Sequence, residues 1–354
     1  MSETPALFTD VLARLVRREE LPPELAEEAL AAILRGEATD AQIAGFAVAL
    51  RSKGERPSEI AALVRTMVRF AESVPVPDAD EVIDTCGTGG DRAGTVNVST
   101  MAALVAAGAG ARVAKHGNRA ASSQCGSADV LEALGVVIDL APDGVAHCLE
   151  EVGIGFCFAP RFHPALRFAG PVRRELGVPT TFNFLGPLSN PAGVGRQSVG
   201  VSDPAMAEVV VGALAELGKT HALVFHGSDG LDELTTTGPS TVYELRDGMV
   251  RRTEVDPAAL GIPRASLGDL AGGDAETNAR VVHEVLGGDR GPVRDIVCLN
   301  AAAALVVADL AEDLATGLEL AGAVIDDGRA AATLERFAAA SRRERARESS
   351  EGRT

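Results

Sequence analysis

Along residues 1–75 the apolar positions recur every three or four residues, the spacing that lines one face of a helix, and short polar breaks separate the segments. "LFTDVLARLV" (7–16) and "PPELAEEALAAILRG" (22–36) predict two helices, the second opened by proline and stopped at Gly36. Thr39 and Gln42 form a T-x-x-Q capping box, and behind it Ile43, Phe46, Ala47 and Leu50 fall at i, i+3, i+4 and i+7. "PSEIAALVRTMVRFAESV" (57–74) predicts a fourth helix with Leu63, Val64, Met67 and Val68 as its apolar stripe. Together these segments predict a small all-helical domain over residues 1–75, with "VPVPDADE" (74–81) as the linker leading out of it.

Beyond Pro77 the period changes. Short apolar runs alternate with alanine-rich helical patterns: "EVIDTC", a glycine loop, "TMAALVAAGAG", then "ARVAKH" and "SADVLEALG". "GVVIDL", "GIGFCFA", "QSVGVS", "HALVFHG" and "DIVCLNAAAALVVA" are further strand or strand–helix candidates. That alternation predicts, for residues 76–354, an α/β domain with a mostly parallel central sheet flanked by helices. The tail "SRRERARESSEGRT" is charged and predicts a frayed or helical end.

Composition narrows the function classes. The chain has 354 residues, is 46% hydrophobic and carries a formal net charge of −17, which fits a globular, enzyme-sized protein. No apolar run approaches the ~18 residues needed to span a bilayer, so no membrane segment is expected. The start "MSETPALFTD" lacks the basic residues and apolar stretch of a secretory signal. Five cysteines (86, 125, 148, 157, 298) show no C-x-x-C spacing, so the expected setting is a reducing, cytoplasmic one without a disulfide framework or zinc site. A strongly acidic chain with one Tyr and no Trp offers neither the positive field nor the stacking platform of a general nucleic-acid binder.

Against that acidity, "AKHGNRAASSQCGSAD" (114–129) gathers Lys115, His116 and Arg119 at the end of an expected strand, although the whole chain has only three lysines. "DTCGTGGDRAGTVNVST" (84–100) places Gly87, Gly89 and Gly90 between a strand and a helix, followed by Asn97, Ser99 and Thr100. Backbone N–H groups freed by such glycines can cradle an anion; the spacing is not the G-x-G-x-x-G of dinucleotide folds. The two loops follow neighbouring strands of one sheet, so they are expected to meet at its carboxyl edge, where open α/β proteins bind ligands. Ser122, Ser123 and Ser127 add donors of the kind phosphates use. "GSDGLDELT" (227–235) brings Asp232 and Glu233 to the same edge, a pair suited to Mg²⁺ with water and phosphate oxygens. "FHPALRFAGPVRRELGVPTTFNFLGPLSNP" (162–191) gives irregular backbone with apolar walls. There Arg173 or Arg174 is placed to grip a carboxylate in bidentate fashion, or else to pair with a local acid such as Glu175 at a hinge.

Taken in order, GTGGD, NVST, KHGNR, FNxLGPLxNP and GLDE resemble the anthranilate phosphoribosyltransferases, enzymes of the tryptophan pathway, over nearly the whole chain. The resemblance implies a small helical domain completed by about residues 165–190, a larger α/β domain shared in fold with pyrimidine nucleoside phosphorylases, and a homodimer. It implies that phosphoribosyl pyrophosphate meets Gly87, Gly90, Asp91, Thr95, Asn97, Val98, Ser99 and Thr100. Lys115, His116, Gly117, Asn118, Arg119, Ala120, Ala121, Ser122, Ser123 and Ser127 complete that site. Ser99, Asp232 and Glu233 are the implied magnesium positions, with one or two Mg²⁺ ions bound alongside phosphoribosyl pyrophosphate. Gly87, Asn118 and Arg173 are the implied anthranilate contacts, with His116 beside the aromatic substrate. Lys115 and His116 are the candidates for catalytic assistance, and no general base is assigned. Gln124 and Cys125 depart from the family's usual small or polar residues, and Cys125 takes no role. A nucleoside phosphorylase would need fewer phosphate donors, and a nucleic-acid-binding relative would show eroded phosphate loops and a basic surface.

Overall fold

The computed structural model describes residues 4–120 and 124–351. Four helices open the chain: α1 (Thr4–Val16), α2 (Pro23–Leu34), α3 (Asp40–Lys53) and α4 (Pro57–Arg69). The capping box forms as expected: the Thr39 side chain accepts from Gln42 N, and Thr39 N donates to Gln42 Oε1 at 2.9 Å. Ile60, Ala61, Leu63, Val64 and Met67 form the buried face of α4, whereas Val68 is 40% exposed and lies outside the stripe assigned to it. Strands and helices then alternate through β1 (Ile83–Gly87), α5 (Val98–Gly108), β2 (Val113–Gly117), α6 (Ser127–Ala133), α7 (Pro142–Val152) and β3 (Ile154–Phe158). Short helices α8 (Ala159–Phe162), α9 (Gly170–Leu176) and α10 (Phe182–Leu188) lead to β4 (Arg196–Gly200), α11 (Pro204–Glu216) and β5 (His221–Gly227). A hairpin of β6 (Ser240–Arg246) and β7 (Met249–Val255) precedes α12 (Ala275–Leu286), α13 (Pro292–Val307), α14 (Leu314–Asp326) and α15 (Arg329–Glu351).

Among the described residues the strands form one sheet in the order β3-β2-β1-β4-β5-β6-β7, parallel from β3 to β5 and antiparallel at β6 and β7. Alternation along each strand sends residues to two cores. Ile83, Leu223 and Phe225 join the core built with α5, α7, α13 and α15. Cys86, Val199, Val201, Ala222 and Val224 join the other, which also holds the buried residues of α1–α4 and α11. Ala169, Val172, Phe182, Phe184, Leu185 and Leu188 belong to that second core, so the chain between β3 and β4 packs with the N-terminal helices.

Two expected strand candidates differ. Residues 135–140 form no strand: Val136, Ile138 and Leu140 are buried in alternation, but Val137 N donates to Ser341 Oγ of α15 at 2.9 Å, so a helix covers the segment. Residues 295–308 lie in α13 and its C-cap, buried on all sides from Ile296 to Val307. No helix of the described residues is long and apolar enough to cross a membrane.

Candidate active site

The chain fills the sheet from β1 outward through β2 and β3, then returns to lay β4 on the opposite side of β1. Loops leaving β1 and β4 therefore part at the carboxyl edge, the position where open parallel sheets receive ligands. The loop after β1 turns at Gly89 (φ 66°) and Gly90 (φ 86°), conformations that residues with a Cβ adopt at a cost. It is stitched to its neighbours: Thr88 N donates to Gly200 O (3.0 Å), Ser202 Oγ to Gly89 O (2.7 Å), and Gly89 N to Asp232 Oδ2 (2.7 Å). A Cβ at Gly87 would stand 2.2 Å from Asp232 Oδ2, and one at Gly200 1.6 Å from Asp232 O. Glycine at both positions is what lets the Asp232 loop lie on the strand ends.

Lys115 projects from β2 beside this loop. Its ammonium donates to Thr85 O (2.6 Å) and Ser99 Oγ (3.3 Å) and is almost wholly buried. Burial lowers its pKa, and the charge of Asp84 opposes that shift. Asp84, on β1, accepts from His116 N (3.1 Å) and Asn190 Nδ2 (2.8 Å). Desolvation raises its carboxyl to about 6, with Lys115 and those donors restraining the rise. The lysine is thus a buried cation held at the root of the glycine loop, not a solvated turn residue.

Asp91, Asp232 and Glu233 gather next to it. Burial, with the neighbouring Asp91 carboxylate, lifts Asp232 to about 7. Glu233 is pushed well up by burial and by Asp232, against Lys115 and the Ser99 amide. No three His, Cys, Asp or Glu side chains among the described residues are arranged to hold a metal by themselves. The donor set nevertheless fits Mg²⁺, which takes one or two carboxylates and completes its shell with water and phosphate oxygens. The mutual repulsion of these carboxylates is the charge imbalance a cation would relieve.

The described ends of the loop after β2 are held by acids of α6. Asp129 Oδ2 accepts from Ala120 N and Gly126 N, both at 2.9 Å. Arg119 pairs with Asp129 and Glu132, each at 2.9 Å, and lies over the Phe158 ring. Asn118 O accepts from Ala128 N (3.1 Å) and Ser127 Oγ (3.3 Å), while a Cβ at Gly117 would meet Ser127 Oγ at 2.2 Å. Ala121, Ser122 and Ser123 lie outside the described residues. Asn97 spends its side chain on Cys125 O (3.2 Å) and Asn278 Nδ2 (2.8 Å), and Thr95 bridges to Ala271. Val98 and Thr100 begin α5 and are buried. Asn97, Arg119 and Ser127 help to shape the loops around the edge where Lys115, the glycine loop and the acidic pair face one another.

On the other core's side, Arg173 of α9 lies over the Phe182 ring, its centroid 5.6 Å away. Burial lowers its pKa, and no carboxylate pairs with it among the described residues. Arg174 and Glu175 are exposed, so the hinge pairing with Glu175 does not form. α10, which carries Phe182, also reaches His116: its Nδ1 lies 3.0 Å from Gly186 O, which can only accept, so Nδ1 holds the proton and Nε2 is a bare acceptor. The Nε2 atoms of His116 and His163 are buried without partners among the described residues, their rings 5.1 Å apart. Desolvation brings the two to about 3 and about 4, so both rings are neutral. Asp84, Asp129, Asn190, Ser202 and Asn278 shape the site and were not anticipated from the sequence. Asn190 lies within the LGPLSNP run, and Asp84 is an acid inside a strand pattern.

Residues 79–331 match the family described as "Glycosyl transferase family, a/b domain", and residues 9–71 the "Glycosyl transferase family, helical bundle domain". The anthranilate phosphoribosyltransferase of Salinispora arenicola (strain CNS-205) is 53% identical over 337 residues, covering 93% of this chain and 95% of that protein. That of Chloroflexus aggregans is 54% identical over 337 residues, covering 95% and 98%. Among solved structures, the anthranilate phosphoribosyltransferase of Thermus thermophilus superposes with a TM-score of 0.89 at 44% identity, covering 94% of this chain and 99% of that one. The Saccharomyces cerevisiae enzyme in complex with PRPP and Mg superposes with a TM-score of 0.88 at 27% identity, covering 96% and 99%. A helical bundle followed by this α/β sheet, a carboxyl edge with a buried lysine and glycine nest, and identity above half of all positions over nearly the full length agree: the chain belongs to the anthranilate phosphoribosyltransferase family.

Proposed function

We propose that the loops at the carboxyl edge carry out the family reaction: the amine of anthranilate attacks C1 of phosphoribosyl pyrophosphate, the C1–oxygen bond breaks, and pyrophosphate leaves. The product is N-(5-phosphoribosyl)anthranilate, and the amine gives up a proton. The observation that carries this reading is the convergence of Lys115, the Gly87–Gly90 loop and the Asp232–Glu233 pair, with Arg173 across α10, stacked on Phe182 rather than spent on an acid.

In this reading Gly87, Gly90, Asp91, Thr95, Asn97, Val98, Ser99 and Thr100 line the phosphoribosyl pyrophosphate site with Lys115–Ala120 and Ser127. As negative charge grows on the leaving oxygens, Lys115 and the loop N–H groups stabilise it in place, without reorganising. Asp232, Glu233 and Ser99 would hold Mg²⁺, which when bound neutralises pyrophosphate charge. Arg173 fixes the anthranilate carboxylate, with Asn118 and Gly87 beside the ring, so that the amine stands in line with C1. His116 stands beside the ring, held neutral by burial at about 3; no general base is assigned, since an aniline amine needs no strong base. We read residues 1–75 with about 165–190 as the small domain, residues 76–354 otherwise as the large one, and the protein as a cytoplasmic homodimer.

The test follows anthranilate fluorescence with phosphoribosyl pyrophosphate and Mg²⁺. Loss of signal dependent on both is expected; persistent fluorescence from folded protein rejects the reading. Arg173→Ala removes a charge-assisted bidentate contact worth about 1.5–3 kcal/mol, so KM for anthranilate should rise roughly 10- to 150-fold. KM for phosphoribosyl pyrophosphate should stay within about twofold, since the guanidinium does not reach that site in this reading.

A further inference from the structure

α13 is apolar along its buried length from Ile296 to Val307 except at one residue, Asn300, which is 3% exposed. Its carboxamide is fully used. Oδ1 accepts from Leu234 N at 2.9 Å, and Nδ2 donates to Leu234 O and to Ile296 O, each at 2.9 Å. A side chain on a helix thus pairs with both backbone groups of one loop residue, as a neighbouring strand would. The loop residue matters: Leu234 follows Asp232 and Glu233 directly. On its far side the loop is held by Asp229, whose Oδ2 accepts from Thr235 Oγ1 and Thr237 Oγ1, both at 2.6 Å. A small cavity of about 10 Å³ is walled by both Asn300 and Glu233 together with Thr85, Ser99 and Ser198. Asp232 in turn takes the Gly89 amide, so a shift at Leu234 reaches the glycine loop through Glu233 and Asp232.

Resting on the function proposed above, we propose that Asn300 is a positioning residue for the magnesium-bearing substrate. It fixes the backbone of Leu234, and through it the placement of the Asp232 and Glu233 carboxylates and of the Gly89 amide. It touches neither substrate nor metal. Two carboxylates that share a cation with substrate oxygens need a set separation, and a loop without strand pairing cannot hold it alone. Residues that orient metal-binding groups from behind characteristically change metal dependence when removed, by about 10- to 100-fold.

The experiment measures full-length Asn300→Ala and Asn300→Ser against wild type and Val297→Ala, a buried apolar α13 residue that makes no side-chain hydrogen bond to the 228–240 loop. In both Asn300 variants the Mg²⁺ concentration for half-maximal rate and KM for phosphoribosyl pyrophosphate should rise about tenfold or more. KM for anthranilate should stay within about twofold, and excess Mg²⁺ should recover much of the rate. Val297→Ala should lower the thermal midpoint and leave the Mg²⁺ midpoint unmoved. Asn300 variants that melt earlier with a wild-type Mg²⁺ midpoint overturn the inference. If neither variant folds, hydrogen exchange of the wild-type Leu234 amide decides: protection comparable with α13 upholds the clamp, and open-loop exchange rejects it. A wild type with no magnesium requirement overturns the underlying functional reading and this inference with it; a magnesium-requiring wild type with unmoved variants overturns this inference alone.

Discussion

Asp84 stands inside the central strand with no solvent and three restraints: the His116 amide, the Asn190 carboxamide and the charge of Lys115. Its folded pKa of about 6 lies above the ordinary aspartate value of 3.8. Between those values the folded chain binds more protons at this site than the unfolded one, so the carboxyl's contribution improves as pH falls to about 4 and is lost as pH rises through about 6. Asp84→Asn removes that titration. Its stability relative to wild type should therefore improve from pH 4 to pH 7, by about 3 kcal/mol at most at about 1.4 kcal/mol per pKa unit; urea melts at the two pH values measure it, and a gap that does not move with pH sinks the argument. At this scale the sequence is readable where chemistry breaks a pattern: Lys115 among three lysines, or Asp232 and Glu233 beside a glycine. It is silent at Asp84 and Asn190, because their partners are distant in sequence and an acid in a strand reads as a solvent-facing position. In its own stretch Arg173 was one of two adjacent arginines, singled out only by the family resemblance; burial over Phe182 separates it from Arg174.

Elements were legible wherever one face is buried. The α3 capping box and its apolar stripe formed as read, and β5 occupies the run predicted for it. Residues 135–140 carry a true alternation whose partner is a helix, and alternation does not say what covers it. The 295–308 run is buried all round, which removes the period that tells strand from helix. The β6–β7 hairpin did leave a sign, Asp247-Gly248 with φ of 51° and 77° between two β-rich runs, masked by the largely exposed, arginine-bearing outer strand. The junction of β4 with its loop offers the sharpest test. In Gly200→Ala the new methyl would meet the Asp232 carbonyl, so strand or loop must move. Such overpacking costs about 1–3 kcal/mol, and KM for phosphoribosyl pyrophosphate should rise while KM for anthranilate changes little; parallel thermal melts and kinetics check both halves.

At the scale of the whole molecule, two cores back one sheet, and the candidate site draws on loops from strands in its middle. Sequence alternation implied the sheet and its helical cover. It did not reveal that the N-terminal helices, α10 and α11 share a continuous core with one sheet face, because that requires the chain to return after β3. Arg51 shows the tie directly, pairing with Asp203 at the start of α11 and lying over Phe184 of α10.

All five cysteines are buried thiols, none of them in a disulfide. Burial drives each toward its protonated form, Cys125 and Cys298 to about 11 and Cys148 to about 12, with Cys86 and Cys157 also pushed well up. Only the ionised sulfur attacks an alkylating reagent, so iodoacetamide should leave the native chain nearly unmarked and stain it at the pace of its own breathing. Cys125, in the loop before α6, should be marked first, and Cys157, in strand β3, last. Mass spectrometry of timed samples would turn those five atoms into a stopwatch for how the protein comes apart.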